Sequence, residues 1–162
     1  MNDISNILDP NCIELDLKAR KKEDVIGELV QLLADTGKIS NAQQCIAEVL
    51  EREKISTTGI GHGIAIPHRL IAGVSDIMIA VGRKGKGVNF DSVDRKPAHL
   101  IFLIVGPKGR HNDYIQILSK LSRLLSDRAL FEALMRAEDA QEVLNLVKEK
   151  EIKQQSTITM QN

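Results

Sequence analysis

Hydrophobic residues recur at helical spacing toward both ends of the chain, whereas the middle carries short runs of β-branched and apolar residues. The helical pattern is clear from Lys22 to Leu33, ahead of a stop at Gly37, and it returns from about Asn112 onward. Between these regions, the runs 76–81 and 98–105 predict two buried strands. Because a sheet buries its apolar faces against helices, this order predicts an α/β fold, a single layered domain.

The predicted helices begin at residues that can cap them. Ser40 and Asn41 can cap a second helix, which runs into the charged stretch 51–54, and Asp127 can cap a later one. Between the two strands, residues 82–87 predict a turn-rich basic loop.

The chain becomes charged and then polar toward its end. A last helix is marked by Val143, Leu144 and Val147, and polar residues dominate beyond Lys148. We therefore predict one domain over residues 1–151 and a disordered tail over residues 152–162.

Composition excludes several classes of function. Lysine plus arginine (22) balances aspartate plus glutamate (22), and aromatic residues make up 2% of the 162 residues, so we expect no nucleic-acid binding. The apolar runs are far shorter than the roughly 20 residues of a membrane helix, and the N-terminus lacks a secretory pattern. These features predict a cytoplasmic protein with no membrane span. The lone Cys12 and Cys45 are expected to be reduced, structural thiols.

The most unusual segment runs from Ser56 to His68. Three glycines alternate with other residues in this segment, and each would lower the stability of a helix that continued through it. These are Gly59, Gly61 and Gly63. We predict a loop that exposes its backbone amides, followed by a short strand that ends at Pro67 and a turn at His68.

His68 is the candidate nucleophile of this segment. A neutral imidazole, which titrates near ~6.5, carries a reactive lone pair near neutral pH. Phosphoryl transfer requires little more than positioning and donors to the phosphoryl oxygens. Amides of the glycine-rich loop and the guanidinium of Arg52, at the end of the second predicted helix, are donors of this kind.

Spacing alone leaves other interpretations open. A histidine after a proline at a strand end can be a surface turn residue. The glycine spacing fits neither the dinucleotide fingerprint nor a Walker A loop, so no nucleotide or other cofactor is expected. His62 and His68 lack further ligands to complete a metal site.

The run from Ser56 to His68 resembles the active-site motif of type-2 IIA proteins, the fructose, mannitol and nitrogen-related branch of the bacterial phosphotransferase system. The order of elements from about Ile7 to Lys150 is also similar to that family. The resemblance implies a mixed β-sheet flanked by helices and phosphorylation of His68 on Nε2 by an HPr-like phosphocarrier. Arg52 matches the active-site arginine of the family.

Two positions depart from the family pattern. His62 stands where sugar-transport members often have glutamate and nitrogen-related members asparagine. Tyr114 stands where the family commonly has a second histidine, and His111 is a possible substitute three residues earlier. We predict that Tyr114 and His111 lie near the phosphoryl site.

Three functions follow from this resemblance. The first is a phosphoryl carrier that acts as a nitrogen-related regulator and binds a target protein. This is favoured because no membrane segment or second domain is attached. The second is a carrier that passes phosphate to a separate IIB protein for fructose- or mannitol-type sugar uptake. The third is a binding module that has lost phosphotransfer.

Overall fold

The computed structural model describes residues 3–161, which form six strands and six helices. The strands are β1 (Leu8–Glu14), β2 (Gly59–Gly61), β3 (Ile64–Ala65), β4 (His68–Leu70), β5 (Met78–Val88) and β6 (Ala98–Gly106). The helices are α1 (Ile4–Ile7), α2 (Lys22–Ala34), α3 (Ala42–Ile55), α4 (His111–Leu125), α5 (Arg128–Arg136) and α6 (Ala140–Gln161).

One sheet contains all six strands, and β6 lies at its centre. β6 pairs antiparallel with β5 on one side and parallel with β3 and β4 on the other. The sheet is extended by β1, parallel to β5, and by β2, antiparallel to β3. Both strand directions occur, so the predicted α/β domain with a mixed sheet flanked by helices is confirmed.

Alternate residues of β6 point to the two faces of the sheet, as the period of a strand requires. One face packs against α1, α4, α5 and α6, and the other against α2 and α3. The inward residues of the first face are Leu100, Phe102 and Ile104, and those of the second are Ile101, Leu103 and Val105. All six are at most 1% exposed, so this strand runs through the middle of the core.

Two predicted helix caps are present in the structure. The side chain of Asn41 accepts a hydrogen bond from the amide of Gln44 (3.1 Å) at the start of α3. The side chain of Asp127 accepts one from the amide of Leu130 (3.0 Å) at the start of α5. Both caps satisfy backbone donors that an α-helix leaves unpaired in its first turn.

The basic loop predicted for residues 82–87 is wrong, because β5 continues through this segment to Val88. Gly82 permits the strand to pass close to Leu17, whose side chain would lie 2.7 Å from a Cβ at this position. The Arg83 and Lys84 side chains are also held by backbone carbonyl groups rather than solvated. Gly82 is therefore accommodated in the strand by close packing, and Arg83 and Lys84 by hydrogen bonds to the backbone.

α6 continues through Gln161 and so includes most of residues 152–162, for which the disordered tail stays a prediction. Asn162 lies outside the described residues. Residues 110–162 contain no glycine or proline that would end the helix. The Glu151 carboxylate accepts hydrogen bonds from the amides of Ile4 (2.6 Å) and Ser5 (2.8 Å), which ties α6 to the N-terminal residues.

Candidate functional site

His68 begins a strand at the edge of β6. β3 and β4 are two segments of one line beside β6, since Ile64 lies opposite Leu100 and His68 lies opposite Ile104. Pro67 interrupts this line because it has no N–H, but its carbonyl oxygen accepts a hydrogen bond from the amide of Ile104 (3.0 Å). The turn predicted at His68 is therefore wrong, and the residue is held by a strand.

The imidazole of His68 is fixed in one orientation. Its Nδ1 lies 2.6 Å from the carbonyl oxygen of Ile66, so Nδ1–H donates to this carbonyl and the lone pair resides on Nε2. Burial has the largest effect on the pKa of His68 and lowers it. The positive charge of Arg52 also lowers this pKa. The hydrogen bond to Ile66 and the negative charge of Glu53 act in the opposite direction. The ring is therefore neutral near pH 7.

Arg52 supplies a positive charge near this imidazole. It lies in the last turn of α3, and its Nη1 donates to the carbonyl oxygen of Ser56 (3.2 Å). The Arg52 charge lowers the pKa of His68 and opposes the larger effect of burial on the pKa of Tyr114. The guanidinium thus acts on both rings at once.

Glu53, the next residue, anchors the segment that connects α3 to the sheet. It is 6% exposed, and its carboxylate accepts hydrogen bonds from the amide and the hydroxyl of Thr58 (both 2.8 Å). The Nζ of Lys22 also lies 2.8 Å from it. No role for Glu53 is predicted from the sequence. The sequence feature that could have indicated this contact is a glutamate at the end of a predicted helix with a threonine five residues later.

Tyr114 faces His68, whereas His111 has an exposed position. The ring centroids of Tyr114 and His68 are 6.0 Å apart at a tilt of 51°. Tyr114 lies in the first turn of α4 and is 6% exposed, and burial raises its pKa. Its hydroxyl therefore stays protonated at neutral pH. His111 is the first residue of the same helix and is exposed.

The tip of the glycine-rich segment does not lie beside His68. Gly61, His62 and Gly63 all have positive φ and form the tight turn between β2 and β3. The Gly63 carbonyl accepts hydrogen bonds from the amides of His99 and Leu100. His99 precedes Ile104 by five residues of β6, or roughly 16 Å. The predicted convergence of these turn residues with His68 on one anion is not found.

Close packing explains why glycine occurs in this segment. A Cβ at Gly59 would lie 2.3 Å from Oγ of Ser92, and one at Gly63 would lie 2.8 Å from the Phe131 ring. The amide of Gly59 donates to Oγ1 of Thr57 (3.0 Å). The amide of Gly59 is therefore already engaged within the segment.

The comparison with protein families decides the identity of the fold. A family model described as "Phosphoenolpyruvate-dependent sugar phosphotransferase system, EIIA 2" matches residues 6–150. The chain belongs to this family. The predicted resemblance to type-2 IIA proteins is confirmed, and the chain is a phosphotransferase-system component of the IIA class.

Curated relatives of this IIA chain carry two kinds of name. A fructose-specific EIIA component of Haloferax volcanii is 38% identical over 92% of this chain and 97% of its own length. A fructose-specific EIIABC component of Bacillus subtilis is 38% identical over 89% of this chain, which spans only 23% of that protein. A nitrogen regulatory protein of Bradyrhizobium diazoefficiens is 31% identical over 89% of this chain and 94% of its own length.

Solved structures show the same two branches. The nitrogen regulatory protein IIA-Ntr of Neisseria meningitidis has a TM-score of 0.83 and 33% identity, over 89% of this chain and 98% of its own. The IIA mannitol protein of Escherichia coli, in its complex with phosphorylated IIB mannitol, has a TM-score of 0.75 and 26% identity. The match covers 88% of this chain and 97% of that protein. The family therefore includes sugar-specific and regulatory members of this fold.

Other predicted features of the IIA chain can be placed in the structure. Burial raises the pKa of both Cys12 and Cys45 to about 11, so each stays a protonated thiol. Among the described residues, no three His, Cys, Asp or Glu side chains are grouped as metal ligands. None of the helices within residues 3–161 combines the length and apolar composition needed to cross a bilayer.

The titration of His68 is a direct test of this geometry. We expect its imidazole to titrate below the usual value of about 6.5, because burial and the Arg52 charge both disfavour the charged ring. Arg52→Gln removes one of these two causes, so the midpoint should rise. The measurement is a pH titration of the imidazole resonances by NMR.

Arg136→Gln is the control for this titration. It removes an exposed arginine from α5 and should leave the midpoint unchanged. A midpoint that does not move with Arg52→Gln would contradict the assigned proximity.

Proposed function

We propose that this chain is a cytoplasmic phosphoryl carrier that accepts a phosphoryl group from the phosphohistidine of an HPr-like protein onto Nε2 of His68. The observation that carries this proposal is the half-buried, neutral imidazole whose Nδ1 is held by the carbonyl of Ile66 at 2.6 Å. That contact leaves Nε2 as the nucleophilic atom without the help of a separate base.

The transfer is a direct displacement at phosphorus. The lone pair of His68 Nε2 forms the new N–P bond while the N–P bond of the donor breaks, and its electron pair returns to the donor imidazole. No proton has to move when the other ring nitrogen of the donor carries a proton, because the donor then leaves as a neutral imidazole. The phosphorylated His68 ring keeps its Nδ1–H, which stays bonded to the carbonyl oxygen of Ile66. The chain contributes positioning and compensation of negative charge, which are the main requirements of phosphoryl transfer.

Arg52 and Tyr114 are the groups that we assign to the phosphoryl oxygens. The charge of Arg52 acts on both His68 and Tyr114, and a guanidinium can present two N–H groups to one phosphoryl group. The Tyr114 hydroxyl stays protonated and can donate one hydrogen bond. Glu53 supports them by holding the Thr58 end of the connecting segment. Exposed His111 remains a candidate for contact with the donor.

The role that we propose for the phosphorylated chain is regulatory. A phosphoryl group adds about −1.5 to −2 of charge at a half-buried position, which is enough to create or abolish an interface with a target protein. The support is the similarity to IIA-Ntr of Neisseria meningitidis, at a TM-score of 0.83. Sugar transport through a IIB protein is the second candidate, favoured by 38% identity to the fructose-specific component of Haloferax volcanii.

One experiment tests the carrier function and separates the two roles. The chain is incubated with phosphoenolpyruvate, enzyme I and an HPr-like protein, and acid-labile phosphate is mapped by mass spectrometry. We expect phosphate on His68. The phosphorylated chain is then offered to a fructose-type IIB protein, with the unmodified chain as control. Rapid discharge to IIB would refute the regulatory role, and absence of acid-labile phosphate would refute the carrier function.

Replacement of Arg52 by lysine tests the bidentate contact. We expect Arg52→Lys to slow phosphoryl acceptance roughly tenfold to a hundredfold, because a charge-assisted hydrogen bond is worth about 1.5–3 kcal/mol. A lysine keeps the charge but not the planar fork. The rate is measured from the HPr-like donor by rapid quench, with Arg136→Gln as the control. A native rate for Arg52→Lys would assign Arg52 a purely structural role.

A further inference from the structure

A second cleft, of about 460 Å³, lies at the end of the sheet away from His68. It is bounded by the turn between β2 and β3, by the start of β6 and by α5, and neither His68 nor Arg52 lines it. Phe131, Met135 and Pro97 give it an apolar floor. Its volume is within the range of clefts that bind small molecules, roughly 300–1,000 Å³.

Basic side chains surround this floor. They are His62, Lys96, His99 and Arg128. The chain as a whole has no net charge, so this concentration of basic groups is local. Among the ion pairs of the described residues, none joins Lys96 or Arg128 to a carboxylate. The cleft therefore holds two cationic groups that the described part of the chain does not neutralise by direct pairing.

The carboxylate in the cleft, that of Asp94, is committed to the backbone. Its Oδ2 accepts a hydrogen bond from the amide of His62 (3.0 Å), and its Oδ1 accepts one from the amide of Lys96 (3.1 Å). These two hydrogen bonds, with that of Lys96 the larger cause, lower the pKa of Asp94, and the positive charge of Lys96 lowers it further. Asp94 thus fixes the turn and the neighbouring loop and attracts Lys96 without forming an ion pair with it, so Arg128 and Lys96 can both contact an external anion.

Two of the basic groups are held in place before any ligand binds. Nη1 of Arg128 donates to the carbonyl oxygen of His62 (2.9 Å), and its guanidinium carbon lies 4.2 Å from the centroid of the Phe131 ring. Nδ1 of His99 lies 3.2 Å from the carbonyl oxygens of both Lys84 and Gly85. Nδ1–H therefore donates to the backbone, and Nε2 is the ring nitrogen available to a ligand. Groups fixed in this way lose little freedom on binding.

We propose that this cleft binds a phosphate ester of a small polar metabolite. A phosphate monoester carries about −1.5 to −2 of charge near neutral pH. The two cations Arg128 and Lys96 attract it, against the single negative charge of Asp94. The planar guanidinium suits bidentate contact with phosphate, and the floor beside Phe131 accommodates the carbon skeleton. His99 lies five residues along β6 from the position opposite His68, or roughly 16 Å. The ester therefore binds without occupying the phosphoryl-acceptor site.

The test is a ¹H–¹⁵N NMR titration of the unphosphorylated full chain with glucose 6-phosphate, glucose and sulfate as separate probes. We expect saturable shifts of the amides of His62, Lys96 and Arg128 with the ester, none with glucose and much weaker ones with sulfate. No phosphoryl donor is present, so the outcome is independent of the function proposed for His68. Equal binding of glucose or of sulfate would overturn the proposal, as would shifts confined to the surroundings of His68.

Variants decide whether the cleft itself is responsible. Arg128→Gln should weaken binding of glucose 6-phosphate roughly tenfold to a hundredfold, because it removes charge-assisted hydrogen bonds. Arg136→Gln makes the same change in the last turn of the same helix, outside the cleft, and should bind like the native chain. If Arg128→Gln does not fold, the exposed Lys96→Gln serves as the second variant. Native affinity in a folded variant of either kind would overturn the assignment.

Discussion

His68→Ala is expected to abolish phosphoryl acceptance from the HPr-like donor. The change removes the nucleophilic Nε2, and the turn that contains His62 lies at the other end of the sheet, so it cannot take over. Loss of a covalent nucleophile leaves no route to the phosphohistidine, and we expect incorporation below about a thousandth of the native level. The measurement is phosphate incorporation from labelled phosphoenolpyruvate after a fixed time, followed by mass spectrometry of the peptide that contains residue 68.

Two controls separate chemistry from folding in this experiment. His68→Gln keeps a polar side chain of similar length at the start of β4 and should also accept nothing, while both variants retain the native circular dichroism spectrum. Arg136→Gln, on the exposed surface of α5, should accept phosphate at the native rate. Phosphate found on His62, His99 or His111 in the native chain would show that the wrong histidine has been assigned.

The parts of the fold that were predictable from the sequence are those with an unambiguous period. α2 begins at Lys22 as predicted, and β6 covers the apolar run 98–105. Periodicity was informative here because each element buries one face or both faces in the same core. The caps at Asn41 and Asp127 were predictable for a related reason, since they satisfy donors that every helix start exposes.

Elements that depend on distant partners were not predictable in this way. No strand was predicted for Leu8–Glu14, which contains Pro10 and a short polar stretch, yet it forms the edge strand β1 beside β5. A proline is tolerated at such an edge, where one side of the strand has no partner. The glycines of β5 similarly suggested a loop. The reason for glycine at these positions is close packing of the Leu17 and Pro97 side chains, and this packing could not be predicted because both residues are remote in sequence.

Some features of the candidate site were also predictable from the sequence, and others were not. His68, Arg52 and Tyr114 were identified from a motif and its neighbours, and the structure brings the His68 and Tyr114 rings together within 6.0 Å. The orientation of the imidazole was not predictable, because it depends on a hydrogen bond to the carbonyl oxygen of Ile66, two residues earlier. The remote position of His62 was also unexpected, since closeness in sequence does not imply closeness in space once a hairpin turns the chain.

Arg83 provides the second large expected effect, on stability. Its side chain connects three parts of the chain, because Nε donates to the carbonyl oxygen of Leu15 (3.1 Å) and Nη1 lies 3.0, 3.2 and 2.7 Å from those of Leu134, Met135 and Ala137. The carbonyls of Leu134 and Met135 lie in the last turn of α5, and that of Ala137 is at its C-cap, where a helix end has few partners for its acceptors and carries partial negative charge.

Arg83→Met should therefore lower the free energy of unfolding by about 2–4 kcal/mol, measured by urea denaturation. Methionine keeps the apolar stem of the side chain, so the loss reports the hydrogen bonds and the charge at the helix end rather than packing. A hydrogen bond to a charged group contributes about 1.5–3 kcal/mol, and the contributions of several carbonyls that share one donor do not add in full.

Two further variants serve as controls. Arg83→Lys keeps the charge and should lose about half as much stability. Lys86→Met, at an exposed position of the same strand, should change stability by less than about 0.5 kcal/mol. If Arg83→Met is no less stable than Lys86→Met, water satisfies these carbonyls equally well, and Arg83 does not hold α5 against the sheet.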